Sequence, residues 1–310
     1  MEFKPSYLRL YESGELDERV EELYNILESC ELCPRKCGVN RLEGEKGFCE
    51  AGKKLMVSSY FPHFGEEDPL VGIHGSGTIF LTHCNLKCIY CQNYEISHLG
   101  VGELVSEERV ARMMLELQAL GCHNINFVTP THYTPQLVRA IRVAAEKGLK
   151  LPIVWNCGGY ENVEIIKLLH GIVDIYMPDI KYSSSEVAKK YSDAPDYFER
   201  CKEAVKEMHR QVGDLKIRNG VAYRGLLIRH LVLPNNLAGS EEILKFIRSL
   251  SKNSYVNIMA QYRPEGEAFK YKELNRRPTR DEFMKVIELA KELGLTRGLQ
   301  DKHLFWRWLI

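Results

Sequence analysis

The sequence predicts an α/β fold: an open, partial (β/α)6 barrel with a small N-terminal metal-binding module. Two observations carry the barrel. Six apolar, β-rich runs recur after residue 75, and a segment with helical spacing follows each of them. Parallel neighbours need crossover helices, so strand-then-helix units with buried-looking strands imply a parallel sheet with helices on its outside. Six units are too few for a full eight-unit barrel, which leaves an open barrel and, as its competitor, a doubly wound sheet. In either architecture the chemistry belongs beyond the C-terminal ends of the strands. The third observation, four cysteines close together before residue 50, sets the N-terminal module apart.

Residues 1–57 open with an amphipathic helix near "ELDERVEELYNILESC" and continue into that cysteine loop. The stretch "SSYFPHFGEEDPLVGIHGSG" reads as an ordered loop joining the module to the core, because its glycines, Pro62 and Pro69 punctuate it without Ser/Gly repeats. His63, Glu66, Glu67 and His74 within it are expected in solvent, with contact to substrate as the alternative. The barrel core spans 58–299. Its strands are expected at "GTIFLTH", "NINFVTP", "PIVWN", "VDIYMPDI", "LLIRHLVLP" and "YVNIMAQY". Ser106 is placed to cap a helix whose Val110, Met113, Met114 and Leu117 fall on one face. Thr134 is placed as the next cap, with Pro135 at the first helical position and Gly148 past the end. Further helices are read at "ENVEIIKLLHG", "YFERCKEAVKEMHRQVG", "SEEILKFIRSL" and "TRDEFMKVIELAKELG". Residues 300–310 form an aromatic tail, expected to pack on the core, cap the open side of the barrel or bind a partner.

Lys and Arg number 42 and Asp and Glu 42, so the net field gives no reason to expect nucleic acid or an anionic membrane as a partner. No apolar run approaches the roughly 20 residues that span a bilayer. The charged N-terminal stretch lacks a signal-peptide pattern, and the chain reads as cytoplasmic. Ten cysteines in a reducing compartment then point to metal or redox chemistry rather than disulfides. Cys122 and Cys201 are read as buried apolar side chains; Cys157, at a strand end, is open to either reading.

Cys84, Cys88 and Cys91 stand in "THCNLKCIYCQ", directly after the first barrel strand and so on the catalytic face. Three thiolates from one loop can hold three irons of a [4Fe-4S] cluster and leave the fourth without a protein ligand. As with a catalytic zinc that keeps one position open, a missing ligand suits a site that binds substrate. A zinc site completed by His83 is the alternative. Cys30, Cys33, Cys37 and Cys49 form the N-terminal set, spaced x2, x3 and x11. Four thiolates make a closed site that accepts zinc, a single iron or an iron-sulfur cluster. Iron is favoured, because a neighbouring catalytic cluster needs electrons.

The phrases "CNLKCIYC", "GSGTIFLTHCNLKCIYCQNYEIS", "NINFVTPTHY", "DIYMPDIKY", "RHLVLPNNLAGS" and "MAQYRP" resemble the radical S-adenosylmethionine (SAM) superfamily. Within it they are similar to the PflX-like branch, relatives of pyruvate formate-lyase activating enzymes. The resemblance runs from about residue 28 to about 296, and it implies a partial TIM-type barrel. In that superfamily the open iron is chelated by the amino and carboxylate groups of SAM. An electron then breaks the sulfonium bond, and a 5′-deoxyadenosyl radical takes a hydrogen atom from substrate. Cys84, Cys88 and Cys91 map onto the catalytic cluster ligands and Tyr90 onto the aromatic position beside cluster and adenine.

Asp179 and Lys181 match the Asp-x-Lys of activating enzymes, near SAM. Asn156 is placed to meet the ribose, or else forms a turn. Arg229, charged within an apolar strand, needs an anionic partner, for which the SAM carboxylate or the cluster region is expected, with a buried structural ion pair as the alternative. Its neighbour His230 should face the other way. Where activating enzymes carry Gly-Gly-Glu, this chain has "VTPTHYTP"; Thr131 and His132 occupy the corresponding turn as candidates for the SAM amino group, and a His132 satisfied by backbone is the alternative. Gln261 takes the position of a SAM-contacting histidine. The resemblance further implies an oxidoreductase fed by a donor such as ferredoxin or flavodoxin, acting on a backbone glycine of a protein substrate. Modification of a small molecule or of another protein residue is the alternative within catalysis, and a non-catalytic electron carrier or binding module is the alternative outside it.

Overall fold

The structure, a computed structural model, describes residues 3–299; the aromatic tail at 300–310 lies outside the described residues. Two helices open it, α1 (Tyr7–Ser13) and α2 (Glu15–Asn25). Gly14 between them has φ +83, a left-handed turn that glycine enters without a Cβ penalty. The loop with the first four cysteines follows. Then come β1 (Leu55–His63), α3 (Asp68–Val71), β2 (Ser76–Leu81), α4 (Tyr94–Ser97), β3 (Glu103–Val105) and α5 (Glu107–Ala119). The middle of the chain is β4 (Ile125–Val128), α6 (Thr134–Glu146), β5 (Ile153–Cys157), α7 (Val163–Leu168), β6 (Ile175–Pro178), α8 (Ser185–Ser192) and α9 (Tyr197–Val212). It ends with β7 (Lys216–Arg218), β8 (Val221–Leu231), α10 (Ser240–Leu250), β9 (Tyr255–Met259) and α11 (Arg280–Glu292).

The six expected strands are β2, β4, β5, β6, β8 and β9. Each pairs in parallel with the next. Among the described residues no pairing joins β9 back to β2, so the run stays open. Antiparallel additions make the sheet mixed: β1 on β2, β3 on β1, and β7 on β8. The stretch read as a joining loop therefore begins as strand, in the second half of β1, and carries α3 before it enters β2. Pro62 misled that reading. β3 pairs only with Leu55 to Val57, so Pro62 sits on a length of β1 with one unpaired edge, where proline is tolerated.

Strand alternation sorts the interior into two apolar clusters. Ile79, Phe127, Trp155, Tyr176, Ile228 and Val256 face outward and pack with the helices in the larger core. Val154, Ile175, Met177, Leu227 and Tyr255 face inward and surround Leu70 of α3. That helix plugs the lower end of the sheet. Tyr7, Leu10, Leu16, Leu23 and Leu27 of the N-terminal segment join the larger core, where α1 and α2 lie on α6. Residues 1–57 thus share their apolar core with the barrel.

Ser106 caps α5 as expected, accepting from the Arg109 N–H at 3.2 Å. Thr134 differs from expectation: it is the first residue of α6, and its hydroxyl donates to Thr131 O at 2.8 Å instead of capping the helix. No helix among the described residues is long and apolar enough to cross a membrane.

Candidate active site

β2 ends at Leu81 and hands the chain to the three-cysteine loop. His83 (φ +65) and Lys87 (φ +45) hold left-handed backbone there, strain that only a well-braced loop sustains. The braces are specific. The Asn85 side chain donates to Tyr160 O at 2.7 Å, Ile89 N–H donates to Tyr191 O at 3.0 Å, and Arg35 Nε donates to Asn85 O at 3.0 Å.

Cys84, Cys88 and Cys91 are free thiols on the wall of one cavity of about 230 Å3. Each receives a different donor. Leu86 N–H reaches Cys84 Sγ at 3.3 Å, the Ser192 hydroxyl reaches Cys88 Sγ at 3.0 Å, and the Ser97 hydroxyl reaches Cys91 Sγ at 3.2 Å. Burial pushes the Cys84 thiol up to about 12 and Cys91 upward as well, so both are protonated until a metal displaces the proton. A cube takes one iron per thiolate, so three thiols spread around a cavity, each with its own donor, fit that group. His83, the fourth ligand of the zinc alternative, turns to Glu50, 3.9 Å from its carboxylate.

The far wall carries the charges. Asn156 at the end of β5, Asp179 and Lys181 after β6, and Arg229 on β8 line the same cavity, as do Tyr90 and Gln261. Arg229 Nε donates to Asp179 Oδ1 at 2.8 Å, and its second arm donates to Asn156 Oδ1 at 2.7 Å. Lys181 Nζ donates to Asp179 Oδ2 at 2.7 Å. Burial alone would raise the Asp179 carboxyl, but Arg229 and Lys181 outweigh it and hold the group below the usual range. Tyr90 is buried and meets Tyr182 and Tyr262 edge-on, with ring centroids 6.2 and 5.7 Å apart.

Three expectations are revised. Arg229 finds its anions within the protein: besides Asp179, Glu66 and Glu67 lie 3.8 and 3.9 Å from its guanidinium. Those glutamates are not solvated, since their side chains are 7% and 6% exposed. The chain between β1 and α3 tucks them into the barrel, where Glu67 accepts from the Asn257 amide at 3.0 Å. Burial and its neighbour Glu67 push the Glu66 carboxyl upward against the pull of Arg229. Thr131 and His132 stand off the cavity wall, and Val128 and Thr129 take their place on it. Thr129 has φ +61, and it and Pro130 turn the chain inward. The Thr131 hydroxyl then donates to the buried Glu161, and His132 Nε2 donates to Thr82 O at 2.8 Å. Burial lowers His132 to about 3, so its ring is neutral.

His230 behaves as alternation requires. Buried on the other face, it donates from Nδ1 to Ile180 O and accepts at Nε2 from Ser240. His74 is exposed and His63 half-buried. Cys122 and Cys201 are buried, and Cys157 is buried with a place on the cavity wall. Sequence reasoning missed Asn257 as a barrel-lining polar group, and it gave Glu66 and Glu67 an inward role only as the alternative to solvent. The one available signal was Asn257, a polar residue within an apolar strand.

Cys30, Cys33 and Cys49 are buried and Cys37 exposed; the four line a separate cavity of about 10 Å3 together with Arg41 and His132. Burial pushes the Cys33 and Cys49 thiols upward.

The family model described as the Radical SAM superfamily matches residues 78–226, from β2 into β8, and so contains all three cysteines of the larger cavity. The uncharacterized protein MJ0674 of Methanocaldococcus jannaschii is 36% identical over 287 residues, covering 90% of this chain and 79% of that protein. MJ0808 of the same organism is 24% identical over 290 residues, covering 87% and 79%. Among solved structures, native anSMEcpe with bound AdoMet overlaps 68% of this chain and 57% of its own, at TM-score 0.44 and 16% identity. Methylornithine synthase (PylB) overlaps 70% and 62%, at TM-score 0.42 and 15% identity. Both overlaps span less than two thirds of the solved chains. Three thiols at the mouth of an open parallel barrel, inside the matched residues, place the chain in the radical SAM superfamily.

Proposed function

We propose that this enzyme cleaves SAM reductively at a [4Fe-4S] cluster on Cys84, Cys88 and Cys91 and abstracts a hydrogen atom from substrate. The observation that supports it most is one cavity whose near wall holds the three thiols and whose far wall holds Asn156, Asp179, Lys181 and Arg229. A bound cluster would relay one electron from an external donor to SAM, whose cleavage would supply the deoxyadenosyl radical and methionine; the remaining tasks fall to side chains. Lys181 presents an ammonium to the methionyl carboxylate of SAM. Asp179 accepts from its amino group or ribose, kept ionised by Arg229 and Lys181. Asn156 and Gln261 offer amides to the nucleoside. Tyr90 walls the cluster side, packed by Tyr182 and Tyr262.

The phrases shared with the PflX-like branch support a backbone glycine of a partner protein as the hydrogen donor, with ferredoxin or flavodoxin as the electron source in the cytoplasm. A small polar substrate is the second reading, favoured by the buried charges of Glu66, Glu67 and Arg229 beneath the cavity. The test is anaerobic reconstitution, reduction with dithionite and assay of 5′-deoxyadenosine and methionine after SAM is added. Cleavage that disappears in Cys84→Ala supports the proposal, and its absence from the wild-type protein rejects it. Deuterium passing from a labelled candidate protein into deoxyadenosine separates the glycyl reading from the small-molecule one.

A further inference from the structure

Arg41 poses a problem that the catalytic cavity does not answer. Its side chain is 1% exposed, and among the described residues no carboxylate pairs with it. It donates to two carbonyls, His132 O at 2.6 Å and Gly52 O at 2.7 Å, and approaches Cys30 Sγ at 4.0 Å. Its Nε has no partner. A guanidinium does not lose its proton in a protein, and burying one without an anion is expensive. The counter-charge has to come from what surrounds it, and that is four thiols: Arg41 lines the small cavity with Cys30, Cys33, Cys37 and Cys49.

We propose that these four cysteines hold one divalent metal ion as a tetrahedral tetrathiolate, whose net double negative charge is the missing partner of Arg41. Charge alone would also allow a four-iron cube, which with four thiolates can carry the same net charge. Space separates them. A cavity of about 10 Å3 is the room of a single small sphere, whereas the three-cysteine cavity offers about 230 Å3. His132 supplies a second buried, unpartnered polar atom at this site, Nδ1. The sulfurs do not yet stand as they would around an ion. Closure falls to Cys37, the exposed member, which packs so tightly on Gly47 that a Cβ there would lie 2.7 Å from its sulfur.

The ion's task follows from what the loop touches. Arg35, between Cys33 and Cys37, donates to Asn85 O and, at 2.8 Å, to Ser192 O. Asn85 adjoins Cys84, and the Ser192 hydroxyl reaches Cys88. Arg41 holds His132 O, and His132 holds Thr82 O, two residues before Cys84. Closing the four-cysteine loop on an ion therefore fixes both arginines and, through them, the catalytic loop.

The experiment uses the full chain carrying Cys84→Ala, Cys88→Ala and Cys91→Ala, so that only the N-terminal set can bind. Loaded with zinc alone and gel-filtered, it should retain one zinc per chain and protect Cys30, Cys33, Cys37 and Cys49 from iodoacetamide, as mapped by mass spectrometry. Adding Cys37→Ser, at an exposed position, or Arg41→Met should each weaken zinc affinity about 10- to 100-fold in a chelator competition. Failure to retain zinc overturns the proposal, as does reconstitution of the same variant with iron and sulfide to four of each per chain. Unchanged affinity in Arg41→Met overturns the counter-charge.

Discussion

Cys30, Cys33, Cys37 and Cys49 line about 10 Å3, whereas Cys84, Cys88 and Cys91 line about 230 Å3 together with Asp179, Lys181 and Arg229. The ligand chemistry is the same, so the walls make the difference. Around the smaller set the lining carries two guanidiniums, Arg35, which pairs with Asp193, and the buried Arg41, whose partners are carbonyls. Around the larger set the charges pair with one another, Asp179 between Arg229 and Lys181, and share the cavity with the sulfurs. A fourth thiol closes a site; a missing one with paired charges facing it leaves room for a zwitterionic ligand.

The largest expected difference between the two is catalytic. Cys88→Ala should lower deoxyadenosine formation at least about a thousandfold, about 4 kcal/mol of barrier, while Cys33→Ser should stay within about a hundredfold of wild type, as expected of a supporting site. Equal losses in a dithionite-driven assay would erase the distinction between the two sets.

Arg35→Ala cuts the link between them. It removes charge-assisted hydrogen bonds to Asn85 O and Ser192 O and the stacking of the guanidinium on Phe48, 3.6 Å from the ring centroid. Urea unfolding should show about 3 kcal/mol less stability. A value near zero would mean that the loops stand independently.

Residues 160 to 162 form a second link, because Tyr160 O receives Asn85 and the Asn162 amide donates to Glu31 O. Glu161 between them is fully buried, and burial raises its carboxyl to about 7 despite the Thr131 hydroxyl. The protonated form is therefore the one the fold prefers. Its contribution is complete below about 4.5 and is lost as pH rises towards 7. Glu161→Gln should flatten that decline and exceed wild type at pH 8 by on the order of 3 kcal/mol, followed by thermal unfolding across pH. A parallel decline in both proteins would assign the loss to another group.

The smallest effect tests the open cavity alone. Asp179→Asn should raise KM for SAM about tenfold, near 1.4 kcal/mol, with less change in kcat. A fall in kcat alone would move Asp179 from binding to the chemical step.

The six barrel strands were legible because strands buried on both faces are written as apolar runs of recognisable length, and the three cysteines because one loop carries them all. Asn156, Asp179, Lys181 and Arg229 could be gathered because strand ends in a parallel sheet share a rim. What failed needed direction or distance. Thr131 and His132 sit where a strand-end reading puts them, yet a left-handed Thr129 turns them away, and neither threonine nor proline announces that turn. Glu66 and Glu67 reach Arg229 from a loop more than 150 residues earlier, and nothing local marks a charged pair as buried. β1 was hidden by its proline and its mixed polarity, features that an edge permits.

Leu70, seated among Val154, Ile175, Met177 and Leu227, closes the lower mouth of the sheet. Hydrocarbon seated there keeps that end of the barrel dry, so a charge introduced at Leu70 would be stranded away from solvent.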